Sequence, residues 1–225
     1  MKYIDLHTHS LFSDGALLPS ELVYRAKVNG YEAIALTDHG DFSTIDYIIP
    51  RIKKITAQLS RAYDIRVLAG IEITYVPPPL IAKAVQMCRK LGADIVVVHG
   101  ETPAETVPPG TNHAAIMACS DIIAHPGHIT ADDVLLARKN NVCLEITTRR
   151  GHKAGNSHVA RLAKKLGASL VFNTDTHQPD DLMCAESIRS TLKVSGLVMA
   201  DFLTMQNHAR GIINGRKHST QSKKK

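Results

Sequence analysis

Short runs of β-branched and aliphatic residues recur along this chain. Each is followed by a polar loop and then by apolar residues at helical spacing. The runs are YIDL (3–6), AIAL (33–36), VLAGIEI (67–73), DIVVV (94–98), DIIA (121–124), VCLEI (142–146) and SLVF (169–172). Short, nearly continuous apolar runs fit strands buried on both faces. Between them, 19–29, 44–61, 80–91, 131–140, 156–167 and 181–194 read as helices, and 197–215 as closing helices. Gly30, Gly92 and Gly167 stand where helices stop. The stretch ETPAETVPPGTNH (101–113) reads as a long irregular loop, a kind that is often functional in compact domains. Strand–helix alternation predicts an α/β fold with a parallel sheet and outer helices. Seven strands in this order suggest a TIM-like (β/α)7 barrel, with an open doubly wound sheet as the alternative.

Composition narrows the picture. A chain of 225 residues suits a single α/β barrel domain. Apolar residues make up 44% but aromatics only 4%, with no tryptophan, so the core must rest on Ile, Val, Leu and Ala. No apolar run approaches the ~18 residues of a membrane span, and the first residues do not read as a signal peptide. Cys88, Cys119, Cys143 and Cys184 are widely spaced, which suggests reduced thiols in a cytoplasmic protein. The net charge of +6 invites a nucleic-acid partner, but its location weakens that reading. The last ten residues, RKHSTQSKKK, hold five of the 27 Lys and Arg; the remaining 22 face 21 acidic residues. Residues 1–215 are thus expected to form one nearly neutral catalytic domain, and 216–225 a basic, disordered tail.

Every strand exits into a histidine or a carboxylate. His7 and His9 follow the first strand in DLHTHS, and Asp38 and His39 the second in TDHG. Glu72 ends the third in GIEIT; His99 and Glu101 follow the fourth in VVVHGE; His125 follows the fifth in AHPG. Glu145 lies within the sixth, followed by Arg149, Arg150 and His152 in TTRRGH, and Asp175 and His177 follow the seventh in NTDTH. In a parallel barrel these ends meet on the face where active sites are built. Histidines at i and i+2 share one face of a strand and can share a cation. So many ionisable groups in one place are costly without a metal or a partner.

With Asp14 from LFSDG the metal candidates number nine: His7, His9, Asp14, His39, Glu72, His99, His125, Asp175 and His177. A catalytic zinc takes three protein ligands plus water, so nine suit three ions. Imidazole ligands favour Zn, Fe or Mn. Three divalent cations against three carboxylates leave a positive site, for which phosphate is the natural anion. A guanidinium fork binds phosphate bidentately, so one of Arg149 and Arg150 is expected to face the site. His152 is a candidate for touching phosphate or the leaving group. Glu145 is a candidate for binding a substrate hydroxyl or anchoring Arg149, and Asp38 for orienting His39. His113, His128, His158, His208 and His218 receive no functional role.

HTHS, TDHG, the strand-end Glu72, the lone His99, AHPG and TDTH resemble, in order and spacing, the PHP (polymerase and histidinol phosphatase) family. The resemblance spans residues 5 to about 178. It implies a distorted seven-stranded barrel with a trinuclear metal site. His7, His9, Glu72 and Asp175 would hold one ion, Glu72, His99 and His125 its neighbour, and Asp14, His39 and His177 the third. Some family members carry His where Asp14 stands. The implied activity is hydrolysis of phosphate monoesters of a small metabolite or nucleotide, as by a histidinol phosphatase. A hydroxide between two ions would attack while the third binds phosphate oxygens. Glu72, Asp175, His177 and Arg149 would act in that chemistry. The alternative is a 3′–5′ exonuclease or an enzyme of nucleic-acid ends, against which stand the near-neutral folded part and the scarcity of aromatics for base stacking. A non-enzymatic metal-binding domain is opposed by the intact ligand set.

Overall fold

The computed structural model describes residues 2–221, with side chains described over 2–215. Seven parallel strands form the path β1 (Tyr3–Asp5), β2 (Tyr31–Leu36), β4 (Arg66–Ile73), β5 (Ile95–His99), β6 (Ile122–Ala124), β7 (Cys143–Thr147) and β8 (Leu170–Asn173). A two-residue strand, β3 (His39–Gly40), pairs with the end of β4 and sets His39 opposite Glu72. Helices α1 (Pro19–Val28), α2 (Ile45–Tyr63), α3 (Pro78–Lys90), α4 (Thr111–Met117), α5 (Ala131–Asn140), α6 (Asn156–Leu166), α7 (Ala185–Ser195) and α8 (Met199–Gln221) surround the sheet. The result is a nearly closed barrel, as the strand pattern predicts, and the open-sheet alternative falls away. None of the described helices is long and apolar enough to cross a membrane. The expected tail is only partly described: α8 carries its backbone to Gln221, and 222–225 lie outside the described residues.

The apolar residues sort into two layers. An outer layer joins strand side chains to the amphipathic helices; α2 buries Ile45, Ile48, Ile49, Ile52, Thr56 and Leu59 at helical spacing. An inner layer fills the barrel with small and branched residues, among them Ala33, Ala35, Val97, Ala124, Cys143 and Val171. Ala209 and Ile213 of α8 close it from below. Gln206, also on α8, accepts a hydrogen bond from Ile4 N at 2.7 Å and donates to Ile4 O at 3.1 Å, standing in for a strand neighbour.

The seam between β8 and β1 is sealed just above the strands. Leu6 N donates to Asn173 Oδ1 at 2.9 Å, Asp175 N to His7 O at 3.0 Å, and His9 N to Thr176 O at 2.9 Å. The seam therefore lines up HTHS with TDTH, the first and last motifs of the chain. One expectation is corrected. The segment 101–113 is not loop to its end, because Thr111–Met117 forms α4. Glu101 anchors that helix by accepting from Gly110 N at 3.1 Å and Asn112 N at 2.9 Å.

Candidate metal centre

The strand ends converge in a buried cluster of imidazoles and carboxylates. His7 and His9 present Nε2 atoms 3.1 Å apart. His7 Nε2 lies 3.3 Å from Glu72 Oε2, and His9 Nε2 3.1 Å from Asp175 Oδ1. Around the rim, His177 Nε2 is 3.2 Å from Asp14 Oδ2, and His39 Nε2 3.6 Å from Asp14 Oδ1. Among the described residues, four groups bring their ligand atoms within 4.8 Å: His9, Asp14, His39 and His177; His7, His9 and Asp175; His7, Glu72 and His125; His125, His152 and Asp175. These take in eight of the nine candidates and add His152. His99 stands apart from them. Its ring meets His125 edge-on at 4.5 Å, and its Nε2 is turned toward Glu105 Oε2, 3.3 Å away.

The donor set fits divalent cations. Glu72 Oε1 and Asp175 Oδ1 are buried and accept no hydrogen bond, and Nδ1 of His9 and His125 likewise has no hydrogen-bond partner. Such orphaned atoms are costly unless something else satisfies them. His125 (φ 31°) and Asp175 (φ 56°) hold left-handed backbone conformations, strain of a kind that gathers at functional sites.

Electrostatics are set by the same packing. Burial, reinforced by the charges of His39 and His7, holds His9 well below the usual imidazole range; burial and His99 do the same to His125. Both rings are thus neutral, with a lone pair to offer. Burial also pulls His7 down, but Glu145, Glu72 and Asp175 outweigh it and raise His7 well above its ordinary value. Burial and the nearby Glu72 push Asp175 up to about 7, although His7 pulls it back.

Two supporting residues differ from expectation. Asp38 does not orient His39. It accepts from Ser10 N at 2.7 Å, Ser10 Oγ at 2.8 Å, Ser13 N at 3.1 Å and Ser13 Oγ at 2.9 Å, and so ties down the loop that carries Asp14. His39 is held by Thr74, whose Oγ1 lies 2.7 Å from its Nδ1. Glu145 neither faces the open mouth nor anchors Arg149. It is fully buried and accepts from His7 Nδ1 at 2.8 Å, Asn173 Nδ2 at 2.8 Å and His125 N at 3.0 Å. Its side chain points inward because strand alternation places it on the barrel face.

Of the two arginines, Arg149 is part-buried and bonds Asp181 Oδ2 at 3.1 Å; the same oxygen accepts from His177 N at 3.0 Å. Arg150 is exposed. His113 and His128 are exposed, while His158 and His208 bond the carbonyls of Ile129 and Leu170. The residue missed by sequence reasoning is Glu105, which lies between His99 and His152. Its signal was its place as an acid in the long loop after β5. Glu145 beneath and Glu105 above bring five carboxylates to the centre where the sequence suggested three, so the site is less positive than expected.

Comparison with known proteins agrees with this architecture. The chain is 44% identical over 195 residues to an uncharacterized protein of Methanocaldococcus jannaschii, covering 86% of this chain and 89% of the relative. It is 27% identical over 192 residues to the DNA polymerase/3′-5′ exonuclease PolX of Bacillus subtilis, covering 77% of this chain but 34% of that protein. It is also 27% identical over 199 residues to a probable phosphatase of Clostridium novyi, covering 79% and 80% of the two chains. The family model of the PHP domain matches residues 5–142, more than half of the sequence, and the chain belongs to that family.

Proposed function

We propose that this protein is a metal-dependent phosphoesterase that hydrolyses phosphate monoesters of a small metabolite or nucleotide. The observation that carries the reading is the sharing of ligands between groups. His7, His9, His125 and Asp175 each belong to more than one, an arrangement suited to neighbouring cations, three in this reading. His7, His9, Glu72 and Asp175 would hold the innermost cation, Glu72 and His125 with His99 its neighbour, and Asp14, His39 and His177 the outer one, of Zn, Mn or Fe type. Such cations supply an activated water and neutralise charge on the phosphate. The chain's own residues do the rest. Glu145 and Thr74 fix the tautomers and ring directions of His7 and His39. Asp38 holds the Asp14 loop against the cluster. Arg149, anchored by Asp181 beside His177, is placed to meet an anion at the rim. The similarity to a probable phosphatase over most of both chains supports the reading.

The similarity to PolX supports a second reading, in which the ester is a phosphodiester at a nucleic-acid end. One experiment separates them: phosphate or nucleotide release by the Mn²⁺-, Zn²⁺- or Fe²⁺-loaded protein from histidinol phosphate, nucleoside mono- and bisphosphates, sugar phosphates and a short oligonucleotide. Release from a small monoester that vanishes in His7→Ala supports the first reading. Release from the oligonucleotide alone supports the second, and no release from any of them rejects both.

A further inference from the structure

Beside the nine expected ligands the fold sets a second group that their pattern does not include. The turn after β7 carries His152 into the barrel mouth, where it is 7% exposed. Its ring stacks on that of His125 with centroids 4.0 Å apart. Its Nδ1 pairs with Thr102 Oγ1 at 2.8 Å, which fixes the ring and leaves Nε2 as its second ligand atom. Ligand atoms of His125, His152 and Asp175 lie within 4.8 Å of one another, and all three residues are buried.

Glu105 faces this group from the loop between β5 and α4. Its Oε1 is 3.4 Å from His152 Nε2, and its Oε2 3.3 Å from His99 Nε2. Charge-assisted N–H···O⁻ hydrogen bonds are shorter, about 2.7–2.9 Å. Two ligands each about 2.0–2.1 Å from one tetrahedral cation stand about 3.3–3.4 Å apart. The Glu105 separations exceed the first distance, but Glu105 joins none of the four groups whose ligand atoms lie within 4.8 Å of one another, so it stands behind His152 and not in the ring of ligands. The loop is built to hold this position. Pro103 packs against Gly127, and Gly127 against Gly155 so closely that a Cβ on Gly155 would lie 2.5 Å from Gly127 Cα. The loops after β5, β6 and β7 are thereby locked together around His152.

We infer that His152 is a cation ligand beyond the nine, holding an ion with His125 and Asp175, and that Glu105 backs that position from the loop as a positioning residue through its contact with His152. Loading the position then fastens residues 101–110 over the barrel mouth. This rests on the reading of the cluster as a metal centre, and the test keeps the two apart.

The metal-free protein is titrated with Mn²⁺, free Mn²⁺ being read by electron paramagnetic resonance, and hydrogen exchange is followed over 101–112 with and without metal. Glu105→Gln alters a half-exposed loop residue and leaves the core intact; His152→Gln is the companion, and His9→Ala the control. One Mn²⁺ step weakens at least about tenfold in Glu105→Gln and His152→Gln, a loss expected of ligand and supporting residues alike. The protection of 101–112 that Mn²⁺ induces in the wild type is lost in both. Unchanged Mn²⁺ affinity in both variants, while His9→Ala loses metal, overturns this inference and leaves the metal centre standing. So does loop exchange in the wild type that ignores Mn²⁺. A wild-type protein that binds no Mn²⁺ overturns both.

Discussion

His7 donates its Nδ1–H to Glu145 Oε1 at 2.8 Å, across 138 residues of sequence, and both side chains are fully buried. That bond settles which nitrogen of His7 faces the cluster. Nε2 is left 3.1 Å from His9 Nε2 and 3.3 Å from Glu72 Oε2. A partner of this kind makes the imidazole a stronger ligand, and its loss typically costs 10–100-fold in metal affinity. Glu145→Gln should therefore weaken Mn²⁺ binding by roughly that factor while the protein stays folded, as measured by metal titration alongside thermal unfolding.

Asp38 is a fastening for the Asp14 loop. Asp38→Ala strands the buried backbone N–H of Ser10, while Ser13 N keeps the Ser10 carbonyl, at a cost of about 1–3 kcal/mol. Urea unfolding of the metal-free variant should show that loss. The variant should also lose the cation nearest Asp14, His39 and His177, which the metal stoichiometry would reveal. An unchanged stoichiometry would reduce Asp38 to a purely structural residue.

Gly15 tests the same loop by sterics. A Cβ there would lie 2.3 Å from the carbonyl oxygen of His9, and backbone cannot yield as a flexible side chain can. Gly15→Ala should destabilise the fold by about 1–3 kcal/mol, the usual cost of overpacking, with reduced metal content as the functional readout.

Metal binding should also depend on pH. Burial lowers the pKa of His39, but Glu72, 2.8 Å from its Nδ1, outweighs burial and with Asp14 raises it to about 9 in the metal-free protein. His39 is therefore protonated at neutral pH and must release a proton to bind a cation. Apparent affinity at that position rises with pH between about 7 and 9 and levels off above, and His39→Gln removes the slope. Isothermal titration in buffers of different ionisation heat counts the proton directly.

The cysteines make a simple check of the packing. Cys88 and Cys143 are buried, and burial pushes both thiols up to about 12; Cys119 and Cys184 are exposed. An aromatic disulfide reagent should label two thiols in the native protein and all four after unfolding.

Local sequence carried much of this structure because the signals were local. Buried parallel strands read as apolar runs, and a ligand placed just after a strand is visible as His or Asp at the end of that run. The α4 helix escaped notice because it is 7 residues long and follows the proline-rich end of an irregular loop. The partners of Asp38 and Glu145 escaped for a different reason. They depend on how the loop after β1 folds back and on which face of β7 turns inward, with partners 25–28 and 20–138 residues away. Glu105 lies in a loop whose path is set by the packing of Pro103, Gly127 and Gly155 rather than by any periodic pattern.

The most direct test of the central claim is anomalous diffraction at the manganese edge from crystals of the protein grown with Mn²⁺ and inorganic phosphate. Anomalous peaks are expected among His7, His9, Glu72, Asp175 and His125, and among Asp14, His39 and His177, with phosphate against them beside Arg149. A cluster that stays free of manganese at saturating Mn²⁺, or phosphate bound away from it, would contradict the account.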